Sequence, residues 1–365
     1  MQRALSATLP AIERLTPVPV LAHVRVSASR GAVEFAATGR ELTIRCCTQV
    51  QGVTPVDPFT LPGRRAADFV KLLEGETVDL APGTRDVSLR CGGSDARLAT
   101  LKAGAYPQLP PAPSKLDYTM PAGLFDRMLR HVLFAVAGDK GNAVLRGALL
   151  EIADGKAHLV ATDGHRLSRY SAPCGEAPRT WILPGALLRA ASARASHPED
   201  VCGVAASEDS VFVRLGGSSV TTDFVHTAEK AKFPDYRRAM PKAVLASVSV
   251  SAEVLQSAVR RCLSLADSNG KVVNFSVSAD SLKLHSADAT MGQTDESLPV
   301  VSRQPFRPIS YLFRGEYLLD MLSLLDGDVA LNFAQVGGGP GLWVTHDRQD
   351  GETFECVLMG LKNAA

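Results

Sequence analysis

Two stretches decide the fold of this chain: PAGLFDRMLRHVLFAVA at residues 121–137 and SAEVLQSAVRRCLSLA at residues 251–266. Their apolar positions match at a constant offset of 130 residues. They are Leu124, Phe125, Met128, Leu129, Val132 and Leu133 in the first stretch, and Val254, Leu255, Ala258, Val259, Cys262 and Leu263 in the second. This i, i+1, i+4, i+5, i+8 spacing is one face of an α-helix. The sequence therefore predicts two equivalent helices.

The same offset pairs basic residues on these helices. Arg130 and His131 correspond to Arg260 and Arg261, so we expect both helices to expose a basic site beside the buried face. A second repeated element is a short apolar strand, a glycine and a helix, at residues 59–73, 181–191 and 311–325. A third is a strand–turn–strand at 24–46, 149–170 and 273–292, followed by further alternating strands at 80–91, 201–215 and 329–345.

These repeats predict an α+β protein made of three similar domains, at residues 1–114, 115–243 and 244–365. Each domain should pack two helices on antiparallel sheets. Proline-rich segments at 107–113 and 234–241 mark the two boundaries. The opening helix of the first domain has the weakest signal, because residues 3–15 include Pro10 and lack a clear apolar face.

The composition is that of an ordinary globular protein, with 45% hydrophobic and 21% charged residues among 365. The formal net charge is +1, from 39 Lys and Arg against 38 Asp and Glu, which argues against a tight direct DNA binder. The seven cysteines include no CxxC pair, so we expect free, mostly buried thiols at Cys91, Cys202, Cys262 and Cys356. With no signal or transmembrane pattern, we expect a soluble cytoplasmic protein without a membrane partner.

Catalysis is not expected. Asp163, His165 and Ser168 suggest a triad, but they lie within six residues on one strand and turn, where side chains alternate between faces. The run Gly337-Gly338-Gly339-Pro340 is predicted to be a turn between strands rather than a phosphate loop, because no Lys-Ser/Thr follows it. We expect no metal and no cofactor.

The runs ATDGHRLSRY (161–170), KFPDYRRAMPK (232–242) and VLMGLK (357–362), together with the threefold repeat, resemble the bacterial DNA polymerase III β subunit, the sliding clamp. The resemblance covers the whole chain and implies a DNA clamp fold that forms a ring as a homodimer. It implies that the ring encircles double-stranded DNA without reading sequence. The partners that it implies are the DNA polymerase III catalytic subunit, the clamp-loader ATPase complex, and other DNA polymerases and repair proteins.

The resemblance also implies a groove between the second and third domains that binds partner peptides by their apolar ends. Its residues would be Leu145, Thr162, Gly164, His165, Leu167, Pro234, Arg238, Ala239, Val272, Arg314, Tyr317, Pro340, Val357, Leu358, Met359, Gly360 and Leu361. An apolar lining with a few polar groups suits a short apolar peptide.

Basic residues on the helices would line the hole of such a ring. The candidates are Arg64, Arg65, Lys71, Arg130, Lys140, Arg189, Arg194, Arg260 and Arg261. A ring needs only weak, sequence-blind phosphate contacts, which suits the small net charge. The implied dimer contact joins an edge strand of the first domain, at Ala96 and Leu98, to the first helix of the third domain, at Ala266 and Asp267.

This chain departs from the family pattern at several of these positions. Gly360 replaces a common proline, Val272 and Arg314 replace a typical aromatic residue and an asparagine, and the dimer positions are unusually small. A freer C-terminal segment and a weaker ring are therefore expected. A second interpretation is a diverged, paralogous clamp that serves repair or mobile-element replication proteins; a third is an enzyme on a clamp-like scaffold.

Overall fold

A computed structural model describes residues 1–13, 15–29, 31–138, 141–194, 197, 199–268, 270–302 and 304–361. These residues form two compact units. The first comprises Met1–Arg127 and Ala186–Glu229, and the second comprises Met128–Gly185 and Lys230–Ala365. The middle repeat thus contributes to both units.

Six α-helices and 24 strands occur in the described part of the chain, and we number them along the sequence. The first repeat contains α1 (Gln2–Thr8), β1 (His23–Ser29), β2 (Ala32–Thr38), β3 (Leu42–Gln49), β4 (Val56–Pro62), α2 (Gly63–Lys71), β5 (Asp79–Pro82), β6 (Asp86–Cys91) and β7 (Ser94–Ala99). The second contains β8 (Tyr118–Pro121), α3 (Ala122–Val132), β9 (Gly147–Ala153), β10 (Lys156–Thr162), β11 (Arg166–Pro173), β12 (Arg179–Pro184), α4 (Gly185–Ser192), β13 (Val201–Ala206), β14 (Ser210–Gly216) and β15 (Val220–Thr227). The third contains β16 (Val244–Ser251), α5 (Ala252–Ser264), β17 (Val272–Val277), β18 (Ser281–Asp288), β19 (Gly292–Pro299), β20 (Val301–Ser302), β21 (Ile309–Arg314), α6 (Gly315–Leu322), β22 (Asp328–Val336), β23 (Gly339–Asp347) and β24 (Thr353–Met359).

Helix α5 shows why the repeated pattern folds as predicted. The Ser251 hydroxyl caps its first turn by accepting from the Val254 N–H at 3.3 Å. Leu255, Val259 and Cys262 are fully buried on one face, as the apolar spacing requires. Val254 is an exception to the predicted face, because it lies exposed in the first turn. The helix packs on α6, β18 and β19.

A glycine begins the second helix of each repeat, and close packing requires it in two of them. A Cβ atom on Gly63 would lie 2.2 Å from Ile12 Cδ1. A Cβ atom on Gly315 would lie 2.7 Å from Leu263 Cδ2. Only glycine lets these helices start so close to the preceding apolar layer.

The sheets are antiparallel and follow one repeated plan. In an eight-stranded sheet, β4-β1-β2-β3 of the first repeat continues through a β3–β15 pairing into β15-β14-β13-β8 of the second. In a nine-stranded sheet, β12-β9-β10-β11 continues through a β11–β24 pairing into β24-β23-β22-β16-β20. The remaining sheets, β21-β17-β18-β19 and β5-β6-β7, have no such continuation within the described residues.

The structure confirms the helices and the strand–glycine–helix elements but corrects several details. Each strand–turn–strand is a three-stranded meander, for example β9, β10 and β11. His131 is buried rather than exposed: its ring centroid lies 4.9 Å from that of Tyr170 and 5.1 Å from that of Phe354. His131 follows Met128 by three residues and so lies on the inward stripe of α3, whereas the longer Arg261 reaches solvent from the matching position.

One other expectation, on the cysteines, is confirmed by the structure. Cys91, Cys202, Cys262 and Cys356 are buried free thiols, as predicted. No helix in the described ranges is long and apolar enough to span a membrane.

Candidate peptide-binding groove

A cluster of apolar side chains lies in the second compact unit, where strands of the second and third repeats pair. We call it the groove cluster. Its buried members are Leu149, Val160, Leu167, Phe233, Tyr236, Val336 and Val357, with Val144, Ile182, Ala239, Met240 and Trp343 half-buried around them. Three residues predicted from the sequence are therefore in contact with one cluster: Leu167, Ala239 and Val357.

The short 3-10 turn Tyr236–Ala239 is held on the sheet by one carboxylate. Glu151 Oε2 accepts from the Tyr236 hydroxyl at 2.8 Å and from Arg237 Nη2 at 2.8 Å. Burial, with the hydrogen bond to Glu151, raises the pKa of Tyr236, so the phenol stays protonated and donates. This anchor fixes the predicted groove residues Pro234, Arg238 and Ala239 beside the cluster.

The segment after β24 is held by backbone hydrogen bonds. The Met359 N–H donates to the His165 carbonyl at 2.9 Å, the Gly360 N–H to the Pro340 carbonyl at 2.7 Å and the Leu361 N–H to the Leu312 carbonyl at 2.8 Å. A proline at position 360 has no N–H and would lose the second of these bonds. The expectation of a freer segment is therefore wrong up to Leu361.

Met359 and Leu358 are neighbours on β24, but one side chain is exposed and the other is buried. Leu358 is 2% exposed, whereas Met359 is 42% exposed on the same face of β24 as Val357. Gly337 lies beside the Met359 methyl group, since a Cβ built on Gly337 would be 3.6 Å from it. Met359 is thus an apolar side chain available at the surface next to the groove cluster.

Aromatic and cationic side chains contact one another near the backbone of Met359, and we call His165, Arg166, Arg314 and Tyr317 the rim. The Tyr317 ring lies 4.3 Å from the Arg166 guanidinium carbon and 5.8 Å from that of Arg314. The His165 ring stacks on it at a centroid distance of 6.3 Å. Arg166 is fixed further by Asp163 at 3.0 Å.

The other predicted groove residues lie at the margins. Thr162 shapes the turn before His165, since its hydroxyl donates to the Arg166 carbonyl at 2.7 Å, and Gly164 in this turn has a φ of 89°. Arg238 is 87% exposed and contacts Asp235 at 3.4 Å. Leu145 is half-buried, and Val272 lies opposite Arg314 on neighbouring strands.

Pro340 and Leu361 line an open cavity of about 360 Å³. Its other lining residues are Ser310, Tyr311, Gln335, Gly338 and Gly339. The predicted turn between β22 and β23 is confirmed at Gly337 and Gly338, which have positive φ, whereas Gly339 and Pro340 already belong to β23.

Trp343 is the most notable groove residue that the sequence analysis missed. It lies on β23 opposite Val357 and packs on the groove cluster. Its indole Nε1 is buried and has no hydrogen-bond partner among the described atoms. Alternation along 339–347 indicates a strand but does not say which face meets a neighbouring repeat, so the pattern alone could not identify it.

The basic residues proposed to face DNA divide into two groups. Arg65, Lys71, Arg130, Arg189 and Arg260 are exposed on α2, α3, α4 and α5. Arg64 is half-buried on α2, and Arg261 makes two hydrogen bonds of 2.7 Å to Glu296. Lys140 lies outside the described residues.

The structure contradicts the prediction that Arg194 faces DNA. It lies beyond the end of α4 and its side chain is only 10% exposed. Its guanidinium bonds to Asp200 at 2.8 Å and to Thr222 at 3.1 Å. A guanidinium that is buried and paired in this way stabilises the first unit and is not available for phosphate.

The predicted dimer residues lie on one edge strand and in one loop. Ala96 and Leu98 are half-buried on β7, which is an edge strand of its sheet. Ala266 and Asp267 follow α5 instead of lying within it. β19, an edge strand of the third-repeat sheet, is not among the elements predicted for the dimer contact.

Asp163, His165 and Ser168, the three residues that suggested a triad, do not bond to one another through their side chains in the described contacts. The buried Ser168 hydroxyl donates to the His131 carbonyl at 2.6 Å. Asp163 Oδ1 accepts from the backbone N–H groups of His165 and Arg166, at 2.9 and 3.0 Å. His165 lies exposed on the rim. Across the described residues, no cluster of His, Cys, Asp and Glu is suited to hold a metal ion.

Three family models match consecutive parts of the chain. They are the N-terminal, central and C-terminal domains of the DNA polymerase III beta subunit, at residues 1–110, 119–235 and 237–336. The chain belongs to the DNA polymerase III beta subunit family. The "Beta sliding clamp" of Pseudomonas putida is 25% identical to it over 320 residues, covering 86% of this chain and 85% of that protein.

Solved structures show the same sliding-clamp fold. The beta subunit from Thermotoga maritima has a TM-score of 0.88 at 21% identity, and covers 100% of this chain and 97% of its own. The beta subunit from Pseudomonas aeruginosa has a TM-score of 0.86 at 22% identity, with 99% and 97% coverage. The three repeats found in the sequence are three clamp domains.

Proposed function

We propose that this chain is a processivity clamp that encircles duplex DNA as a homodimeric ring and tethers DNA polymerases through the groove cluster and rim. The observation that carries the proposal is the exposed Met359 beside a buried apolar cluster, in a chain of the sliding-clamp family. We propose no catalytic role, because Ser168 and Asp163 are engaged in structural hydrogen bonds. The domain boundaries remain those inferred from the repeats, 1–114, 115–243 and 244–365.

The topology supports a head-to-tail dimer. In each inter-repeat pairing, the third meander strand of one repeat, β3 or β11, meets the last strand of the next repeat, β15 or β24. By the same rule, β19 of the third repeat should pair with β7, the last strand of a first repeat. A second copy of the chain can supply it, and two equivalent contacts close a ring by symmetry. Ala96 and Leu98 on β7 would lie in this contact.

The exposed basic residues support weak, sequence-independent DNA contact. Arg65, Lys71, Arg130, Arg189 and Arg260 would face the duplex, with Arg261 shared between Glu296 and phosphate. Contacts of this kind release counterions and are therefore salt-sensitive. A closed ring would keep its place on DNA by topology rather than by affinity.

The partners that we propose are the DNA polymerase III catalytic subunit, the clamp-loader ATPase, and other polymerases and repair proteins. Each would pack an apolar peptide end on the exposed Met359, over the buried cluster that contains Leu167 and Val357. Because they need the same groove, loader and polymerase should compete for one subunit.

A primer-extension assay on circular DNA tests this function. With the loader and polymerase of the source bacterium, wild-type protein should lengthen the products, and Met359→Ala should not. Products of unchanged length with wild-type protein would refute the processivity role.

Arg314 and Gly360 favour one alternative, a clamp specialised for repair or mobile-element replication proteins, since both depart from the usual pattern at the groove. A pull-down with replicase, repair-polymerase and loader subunits separates the two. Retention of repair polymerases without the replicase would favour the specialised clamp.

A further inference from the structure

Arg314 is an exposed cation on the rim of the groove. It lies at the N-cap of α6, with its guanidinium over the Tyr317 ring. In the described part of the chain, no carboxylate lies within ion-pair distance of the Arg314 guanidinium. The Tyr317 ring that it contacts carries no negative charge. An arginine over an aromatic face keeps its planar donors directed outward, where they can bind a carboxylate in bidentate fashion.

The carboxylates around Arg314 are engaged by other groups. Asp163 binds Arg166 and two backbone N–H groups, and Asp320 binds Arg166 at 2.6 Å. Glu316 pairs with Lys271. The charge of Arg314 is therefore not neutralised locally, and the rim offers a positive site to whatever occupies the groove.

A continuous series of contacts connects Arg314 to the apolar part of the groove. Tyr317 contacts Arg314 on one side and stacks with His165 on another. The His165 carbonyl in turn accepts from the Met359 N–H. A peptide whose apolar end packs on the exposed Met359 would therefore lie close to this rim.

We propose that Arg314 selects partner peptides that carry an acidic side chain next to their apolar end. This inference rests on the proposed function of the groove and adds a specificity that the apolar lining cannot provide. The apolar end gives affinity by burial, while the carboxylate pairs with Arg314 and separates acidic partners from neutral ones.

The expected effect is modest because Arg314 is exposed. A solvent-exposed pair strengthens binding by about two- to fivefold, and the gain should shrink at about 1 M salt, where screening extends only ~3 Å. Reversing the charge should invert the preference by a similar factor.

The experiment uses the full chain and fluorescein-labelled peptides that end in Leu-Phe. One series carries Asp at successive positions before this end, and a matched series carries Asn. Anisotropy titrations give the affinity of each peptide for wild-type protein and for Arg314→Gln and Arg314→Glu. Arg307→Glu is the matched control, since Arg307 is also exposed and the change in net charge is identical.

At one position or more, wild-type protein should prefer Asp to Asn by about two- to fivefold. Arg314→Gln should abolish this preference, Arg314→Glu should invert it, and Arg307→Glu should keep it. Equal binding of Asp and Asn peptides at every position, or a preference that survives in Arg314→Glu, would overturn the inference while leaving the groove itself intact. Failure of all the peptides to bind wild-type protein would instead refute the groove.

Discussion

Replacing Met359 by alanine should weaken peptide binding more than it lowers the stability of the protein. Met359 is 42% exposed in the free protein, so its truncation removes only part of a buried side chain and should cost about 1 kcal/mol of folding free energy or less. A central apolar anchor of an interface contributes ~1–3 kcal/mol, which corresponds to a fivefold to roughly 150-fold loss of peptide affinity. The affinity should therefore fall far more than the stability.

Leu358→Ala is the matched control: the resemblance also implied Leu358 for the groove, but its side chain is 2% exposed on the opposite face of β24 and does not belong to the groove cluster. Its truncation should cost about 2–5 kcal/mol of folding free energy. Where the protein is still folded, its affinity for the peptide should change little. Denaturant titration and peptide anisotropy measure the two quantities on the same samples. The reasoning fails if Met359→Ala binds the Leu-Phe peptides as wild type does, or if folded Leu358→Ala loses equal affinity.

Three further predictions concern assembly, DNA and packing. Sedimentation should show a homodimer at tens of micromolar, and a monomer at that concentration would contradict the β19–β7 contact. Changing Arg130, Arg260 and Arg261 together to Glu should reduce retention of loaded protein on circular DNA while leaving the circular dichroism spectrum unchanged; full retention would show that these helices do not face the duplex. Gly315→Ala should lower the free energy of unfolding by about 1–3 kcal/mol, because the new Cβ would crowd Leu263, and an unchanged denaturation midpoint would contradict this.

Periodicity was enough to predict α3, α5 and the repeat, because four matching positions are buried in both helices: Phe125, Met128, Leu129 and Val132 in α3, and Leu255, Ala258, Val259 and Cys262 in α5. It was less reliable where side-chain length decides the outcome, as at His131 and Arg261, which share a helix position but differ in exposure. Arg194 was assigned to a helix surface because the sequence does not mark where α4 ends, and its partner Asp200 lies in the following loop.

The groove was harder to predict from residues alone. Leu167 and Val357 are far apart in sequence and meet only because β11 pairs with β24. Alternation in each strand predicts a buried face, but it does not predict which edges join. For the same reason Trp343 and Glu151 could not be connected to the groove, although both lie in segments that were correctly read as strands.

The sharing of sheets between repeats has a consequence for how the chain unfolds. Because β3–β15 and β11–β24 are backbone ladders, hydrogen exchange should report protection across repeat boundaries, with the strands on both sides of each ladder opening together. A fragment cut at residue 114 or 243 would expose an unpaired edge strand and should aggregate rather than fold. Gene fusions or chimaeras of this protein would therefore do better to exchange whole compact units, even though each unit draws on two distant parts of the middle repeat.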